Sequence, residues 1–251
     1  MGLTSITFLG HATLRLELDG AVFLTDPILR TFASGLVNRQ PVQAVAQMVD
    51  GVDRVLISHL HRDHLDLASL HRLPANVPII VPRGGADILK RDGFECVVEL
   101  DVGESERVGD VQVHATPAAH DGFRAPFGPM AECLGFVIEG SRRIYFAGDT
   151  DIFDAMADLA PIDVALLPIA GWGPRLGPGH MGPGEAVRAL ELLQPRIAVP
   201  IHWGSLVPLG MHLRTWSYLT RPPLTFADMA RHAHPEVEVR ILEPGQTLDL
   251  M

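Results

Sequence analysis

Lysine is nearly missing from this chain. Lys90 is the single lysine among 20 basic residues, set against 30 acidic ones, for a formal charge of −10 over 251 residues. An extended nucleic-acid surface needs a basic footprint that releases counterions, so nucleic acid is excluded as a partner. Two cysteines, Cys96 and Cys133, are too few for a disulfide framework and read as buried free thiols. No apolar run approaches the roughly 20 residues of a membrane span, which excludes stable membrane insertion. The first ten residues lack the basic start and continuous apolar core of a signal peptide, so a cytoplasmic protein is expected.

What is present is a hydrophobic content of 47%, enough for a large core, with no internal linker. A single domain over residues 1–251 is therefore expected. Strands are expected at 6–9, 13–18 and 21–24, with Asp19-Gly20 as the turn between the last two. The pattern then gives strand 53–58, a helix near 65–72, strand 78–81, a helix near 84–91 and strand 94–98. Strands near 107–116, 133–139 and 142–147 follow, then a helix near 151–159 and strand 162–168. A helix at 183–193 opens on Pro183 and carries an apolar stripe of Ala186, Val187, Leu190 and Leu193. Strand 196–201, a helix near 225–233 and strands near 237–241 and 247–250 complete the α/β set.

His59-Leu60-His61-Arg62-Asp63-His64 places four potential metal ligands in six residues, directly after an apolar strand. The loop can turn His59 and His61 toward one point and Asp63 and His64 toward a neighbouring one. Imidazole with carboxylate suits zinc, manganese or iron, and no local thiolate argues for a structural cysteine cage. One loop supplying both halves of a two-metal centre implies hydrolysis. His120, Asp149 and His202 each follow a strand-like segment, where open sheets present functional groups.

The spacing of His59, His61, Asp63 and His64 resembles the H-x-H-x-D-H signature of the metallo-β-lactamase fold superfamily. Gly10-His11-Ala12-Thr13, Leu24-Thr25-Asp26-Pro27, Ala147-Gly148-Asp149-Thr150, His180-x-x-Pro183 and Ile201-His202-Trp203-Gly204 extend the likeness in order. Together they look like the branch containing N-acyl-phosphatidylethanolamine-hydrolysing phospholipase D and, more distantly, the ascorbate-6-phosphate lactonases. The resemblance implies a four-layer αββα sandwich with the ligands along one rim. It implies two divalent ions, zinc first, with manganese or iron also fitting. His59, His61 and His120 would hold one, Asp63, His64 and His202 the other, and Asp149 would bridge them. A metal-bridging hydroxide would then act on a phosphodiester, with lactones or carboxyl esters as the alternative and a non-catalytic metal-binding protein as a remote third.

His11 and Asp26 are candidates to orient ligand imidazoles, and His180, in a glycine- and proline-rich loop, to protonate the leaving group. Asp63, Asp149 and His180 thus form the catalytic set. The other histidines, His71, His114, His212, His232 and His234, read as structural. Most of the arginines read as solvated, although one lining the site would bind phosphate bidentately. Asp151 stands where the phospholipase branch usually has Gly, and its charge would disfavour a strongly anionic substrate. The apolar stretches 172–177 and 206–223 suit a channel for a small or amphiphilic substrate, core packing, or contact within a homo-oligomer.

Overall fold

Strand burial follows the period of two wherever one face meets a neighbouring layer. Leu14, Leu16 and Leu18 point inward on Thr13–Leu18 while Arg15 and Glu17 point away. The computed structural model describes residues 4–33, 35–38, 48–171, 173, 175–211 and 216–250. Its strands are β1 Thr4–Gly10, β2 Thr13–Leu18, β3 Ala21–Thr25, β4 Phe32–Ala33, β5 Leu36–Asn38, β6 Arg54–Leu56, β7 Ile79–Pro82 and β8 Val97–Leu100. They continue as β9 Ser105–Val108, β10 Val111–Pro117, β11 Leu134–Glu139, β12 Arg143–Phe146, β13 Val164–Pro168, β14 Ile197–Ile201, β15 Leu206–Pro208, β16 Glu238–Val239 and β17 Thr247–Leu250.

Two seven-stranded sheets result, ordered β17-β1-β2-β3-β6-β7-β8 and β16-β14-β13-β12-β11-β10-β9. Ile6, Leu16 and Phe23 of the first share one core with Val113, Phe136 and Leu166 of the second, so the sheets pack face to face. The helix Pro183–Leu193 adds Ala186, Leu190 and Leu193 to that core from outside. Leu70 and Leu89, from helices Leu67–Leu70 and Ala86–Arg91, cover the other face of the first sheet with Val55, Ile57 and Val81. This is the αββα sandwich that the resemblance implied. The strands covered on both sides, β7 and β13, are buried throughout, as their unbroken apolar sequences require.

Several elements differ from expectation. The strand expected near 107–116 is a hairpin, β9 and β10, turned at Gly109-Asp110 with Val108 opposite Val111. The helix expected near 151–159 is a 3-10 helix at Asp154–Leu159. The late helix begins at Ser217 rather than near 225 and continues through Pro222 and Pro223 to Ala233. Its buried Phe226 and Ala230 join the core shared with helix Pro183–Leu193, while Leu219 joins Val37 and Val207 of β5 and β15, so tertiary packing overrides the local penalty of proline. A third sheet, β15-β5-β4, has no counterpart in the sequence reading because its strands are only two or three residues long. It makes Leu206 and Val207 core residues. Trp172, His212 and Leu213 lie outside the described residues.

Both cysteines are free, but only Cys133 is buried; Cys96 is partly exposed. Burial first, then the nearby Asp149 charge, pushes the Cys133 thiol up to about 12. A thiol reagent at neutral pH is therefore expected to label Cys96 first and Cys133 only after unfolding, as read by mass spectrometry of peptides. Equal labelling rates in the native protein would contradict this burial.

Candidate metal centre

β3 and β6 run parallel, as do β12, β13 and β14, so their carboxyl ends open on a shared rim. Asp26 follows β3, His59 to His64 follow β6, Asp149 follows β12, and His202 follows β14. His120 arrives from the loop after β10, which is tied to the rim by the bridge between Ala119 and Asp151. Among the described residues, three of the five non-glycine residues with positive φ stand here: His11 (56°), Asp26 (33°) and His202 (60°). Such backbone is costly and gathers where side chains must be aimed.

Four of the rings are fixed from behind. His120 donates from Nδ1 to the Gly179 carbonyl and His202 from Nδ1 to the Ala170 carbonyl, both at 2.7 Å. His64 Nδ1 donates to Asp26 Oδ2 at 2.7 Å. His59 Nδ1 donates to Ser58 Oγ at 2.9 Å, whose own proton goes to Asp26 Oδ2 at 2.6 Å. Asp26 Oδ1 accepts the Ser58 amide at 2.7 Å. Asp26 therefore lies behind both His59 and His64, and its oxygens are committed to these donors. Glycine is required at two points around this scaffold. A Cβ on Gly148 would stand 2.5 Å from Ser58 Cβ, and one on Gly179 would stand 2.9 Å from His120 Nδ1.

With these outer nitrogens donating, the inner nitrogen of each neutral ring carries a lone pair. His61 Nδ1 and His120 Nε2 approach to 3.1 Å, His64 Nε2 and His202 Nε2 to 3.2 Å, and the buried His59 Nε2 has no partner. Asp149 Oδ1 lies 3.1 Å from His202 Nε2 yet has no donor, because that ring's proton already goes to Ala170. Acceptors turned toward one another in a buried space repel unless a cation or proton lies between them, so the donor set fits metal ions.

The candidate ligand atoms fall into neighbouring groups. His59, His61 and His120 form one, and His11, Asp63, His64 and His202 another, each within 4.8 Å. Asp149 lies between them. Its Oδ2 is 3.2 Å from His64 Nε2 and 3.4 Å from His180 Nε2, and it also groups with His120. All the ion-pairing partners of Asp63 and Asp149 among the described residues are imidazoles. His71, His114, His232 and His234 join none of these groups.

Burial, reinforced by neighbouring imidazoles, lowers His59 well below the usual histidine range and takes His11 down to about 3. It also lowers His61, and takes His120 to about 4, so these rings are neutral, the form that coordinates a cation. Burial would raise Asp63 and Asp149, but the surrounding histidines hold both down as carboxylates. Burial also acts against His64, yet Asp149, Asp26 and Asp63 outweigh it and hold that ring above its ordinary value.

His180 stands half-buried at the edge. Its Nδ1 lies 3.2 Å from the Pro178 carbonyl, and Asp149, winning against burial, keeps the ring above its ordinary value. It lines two clefts. One, of 280 Å³, includes Arg175, Leu176 and His202; the other, of 480 Å³, includes Asp151, Glu185 and Arg188. Asp151 takes the Ile152 amide on its Oδ1, which partly satisfies the charge expected to repel anions. Arg124 is missed by the sequence reading. It is buried, its Nη1 donates to the Leu60 and Leu65 carbonyls, and burial, then Arg62, pushes its pKa down to about 10. It pins both ends of the ligand loop, a role with no signal in an isolated arginine between Phe123 and Ala125.

The family profile described as "Beta-lactamase superfamily domain" matches residues 22–203. A UPF0173 metal-dependent hydrolase of Opitutus terrae is 32% identical, over 98% of this chain and 99% of its own. N-acyl-phosphatidylethanolamine-hydrolyzing phospholipase D 1 of Caenorhabditis elegans is 33% identical, over 81% of this chain and 64% of its own length. Among solved structures, a metallo hydrolase from Ignicoccus hospitalis superposes with a TM-score of 0.77 at 23% identity, over 100% of this chain and 99% of the other. At that identity the likeness speaks for the fold.

Proposed function

The chain belongs to the β-lactamase superfamily and is a metal-dependent hydrolase of it, and on that premise we propose a binuclear enzyme acting on a phosphodiester of a small or amphiphilic molecule. The observation that carries the two-cation reading is Asp149, whose carboxylate reaches both ligand groups. His59, His61 and His120 would hold one ion and Asp63, His64 and His202 the other, with Asp149 shared. Zinc suits these donors, and manganese or iron fit them as well. Two such ions supply an activated water and polarise the scissile group.

The chain's own residues do the rest. Asp26 orients one imidazole of each group, directly for His64 and through Ser58 for His59. Arg175 and Leu176, beside His180, offer a guanidinium for a phosphate oxygen and an apolar wall for a chain. The nematode relative, a phospholipase D, supports the choice of phosphodiester. The test is a parallel assay of metal-loaded protein on bis-aryl and acyl-chain-bearing phosphodiesters, lactones and aryl esters. Chain-bearing diesters are expected to turn over fastest. Lactones outpacing every diester would make the enzyme a lactonase, and no turnover at all would leave a metal-binding protein without catalysis.

His180 is assigned to protonating the leaving oxygen. His180→Ala is expected to slow diesters with poor leaving groups by roughly 10² to 10⁴ while sparing activated aryl leaving groups, with metal content unchanged. Uniform loss across both classes, or loss of metal, would move His180 to binding or ligation.

A further inference from the structure

We infer that His11 is a direct ligand of the cation held by Asp63, His64 and His202, giving that half of the centre a fourth side chain of its own. This rests on the binuclear reading and goes beyond it, because His11 entered as a residue expected only to orient a ligand. The ring is buried, and its Nε2 has no hydrogen-bond partner. That nitrogen lies 3.3 Å from Asp63 Oδ2, and it groups with the donor atoms of Asp63, His64 and His202 within 4.8 Å.

The backbone is built to deliver the ring. His11 sits at φ 56° after Gly10 at φ 110°, where the pairing of β1 with β2 is interrupted between Phe8 and Gly10. Its amide donates to Ser205 Oγ at 2.7 Å and its carbonyl accepts the His202 amide at 2.8 Å. The turn of one sheet is thus clamped to the strand end of the other, and the His11 and His202 rings stand 4.0 Å apart. The two halves of the centre then differ: three imidazoles plus the shared Asp149 on one side, three imidazoles plus Asp63 and Asp149 on the other. The second is a five-donor set drawn wholly from the chain.

Cobalt(II) reconstitution of the whole protein tests this, with dissociation constants from chelator competition and the visible d–d spectrum as readouts. His11→Asn keeps a residue that tolerates positive φ but is too short to reach the site, and His11→Gln keeps an N–H donor at similar reach without an imidazole. Both are expected to weaken one of two cobalt sites by about 100-fold or more, the upper end of what losing an orienting partner does. The other site should be unchanged, and the affected site's d–d band should intensify as its coordination number falls. Matching circular dichroism of the metal-free variants establishes that the fold is retained. Wild-type affinity in His11→Gln would reduce His11 to a positioning residue, and wild-type affinity in both variants would remove it from the centre; either overturns the inference alone. Wild-type protein binding fewer than two cobalt ions overturns the binuclear reading and this inference with it.

Discussion

Asp149→Ala is expected to lower hydrolysis by roughly 10³ or more and to cut metal uptake at both sites. The carboxylate is buried, with one oxygen toward His202 and the other toward His64 and His180. It also groups with His120, so removing it withdraws the carboxylate from both ligand groups at once. Two-metal catalysis contributes several kcal/mol of charge stabilisation, and each 1.4 kcal/mol is a factor of ten in rate. Metal titration and steady-state kinetics measured on the same preparation check this. Two ions bound at wild-type affinity with activity within tenfold of wild type would refute the shared role of Asp149.

Asp26→Ala is expected to be nearly as damaging by another route, since Asp26 is wholly buried and touches neither cleft. It accepts from the Ser58 amide, the Ser58 hydroxyl and His64. Truncation leaves those donors unpaired in the interior and releases the rings of His59 and His64 from their fixed orientation. Breaking a buried pair with a charged partner costs about 3–5 kcal/mol. At 2–4 °C per kcal/mol for a chain of this size, the metal-free protein should melt roughly 10 °C lower. Metal affinity should fall by about 10- to 100-fold at both sites, because Asp26 stands behind one imidazole of each. Asp26→Asn, which keeps an oxygen, should recover part of the stability. Loss confined to the site of His64 would show that the relay through Ser58 carries no orientation to His59.

The ligand loop was legible because its chemistry is local. Four donors within six residues after an apolar strand need no knowledge of the rest of the chain, and the strand ends before His120, Asp149 and His202 show in hydrophobic pattern alone. Gly148 could have been singled out too, since Gly before Asp signals a backbone that no other residue adopts cheaply. The third sheet could not, because strands of two or three residues carry no period. Nor could the extended helix Ser217–Ala233, whose prolines argue locally against it and whose packing argues for it.

By itself the sequence determined the candidate donors, their order along the chain and the alternation of strand and helix that brings strand ends to one rim. Only the tertiary structure decided what those donors face. Whether His11 meets His202 depends on how a turn in one sheet seats against the end of a strand in the other, 191 residues away in sequence. Asp26 stands behind both His59 and His64, and Arg124 pins Leu60 and Leu65, because residues distant in sequence share a buried, low-dielectric space. In such a space every polar group must find a partner. That requirement is satisfied by packing across layers, and no window of neighbouring residues records it.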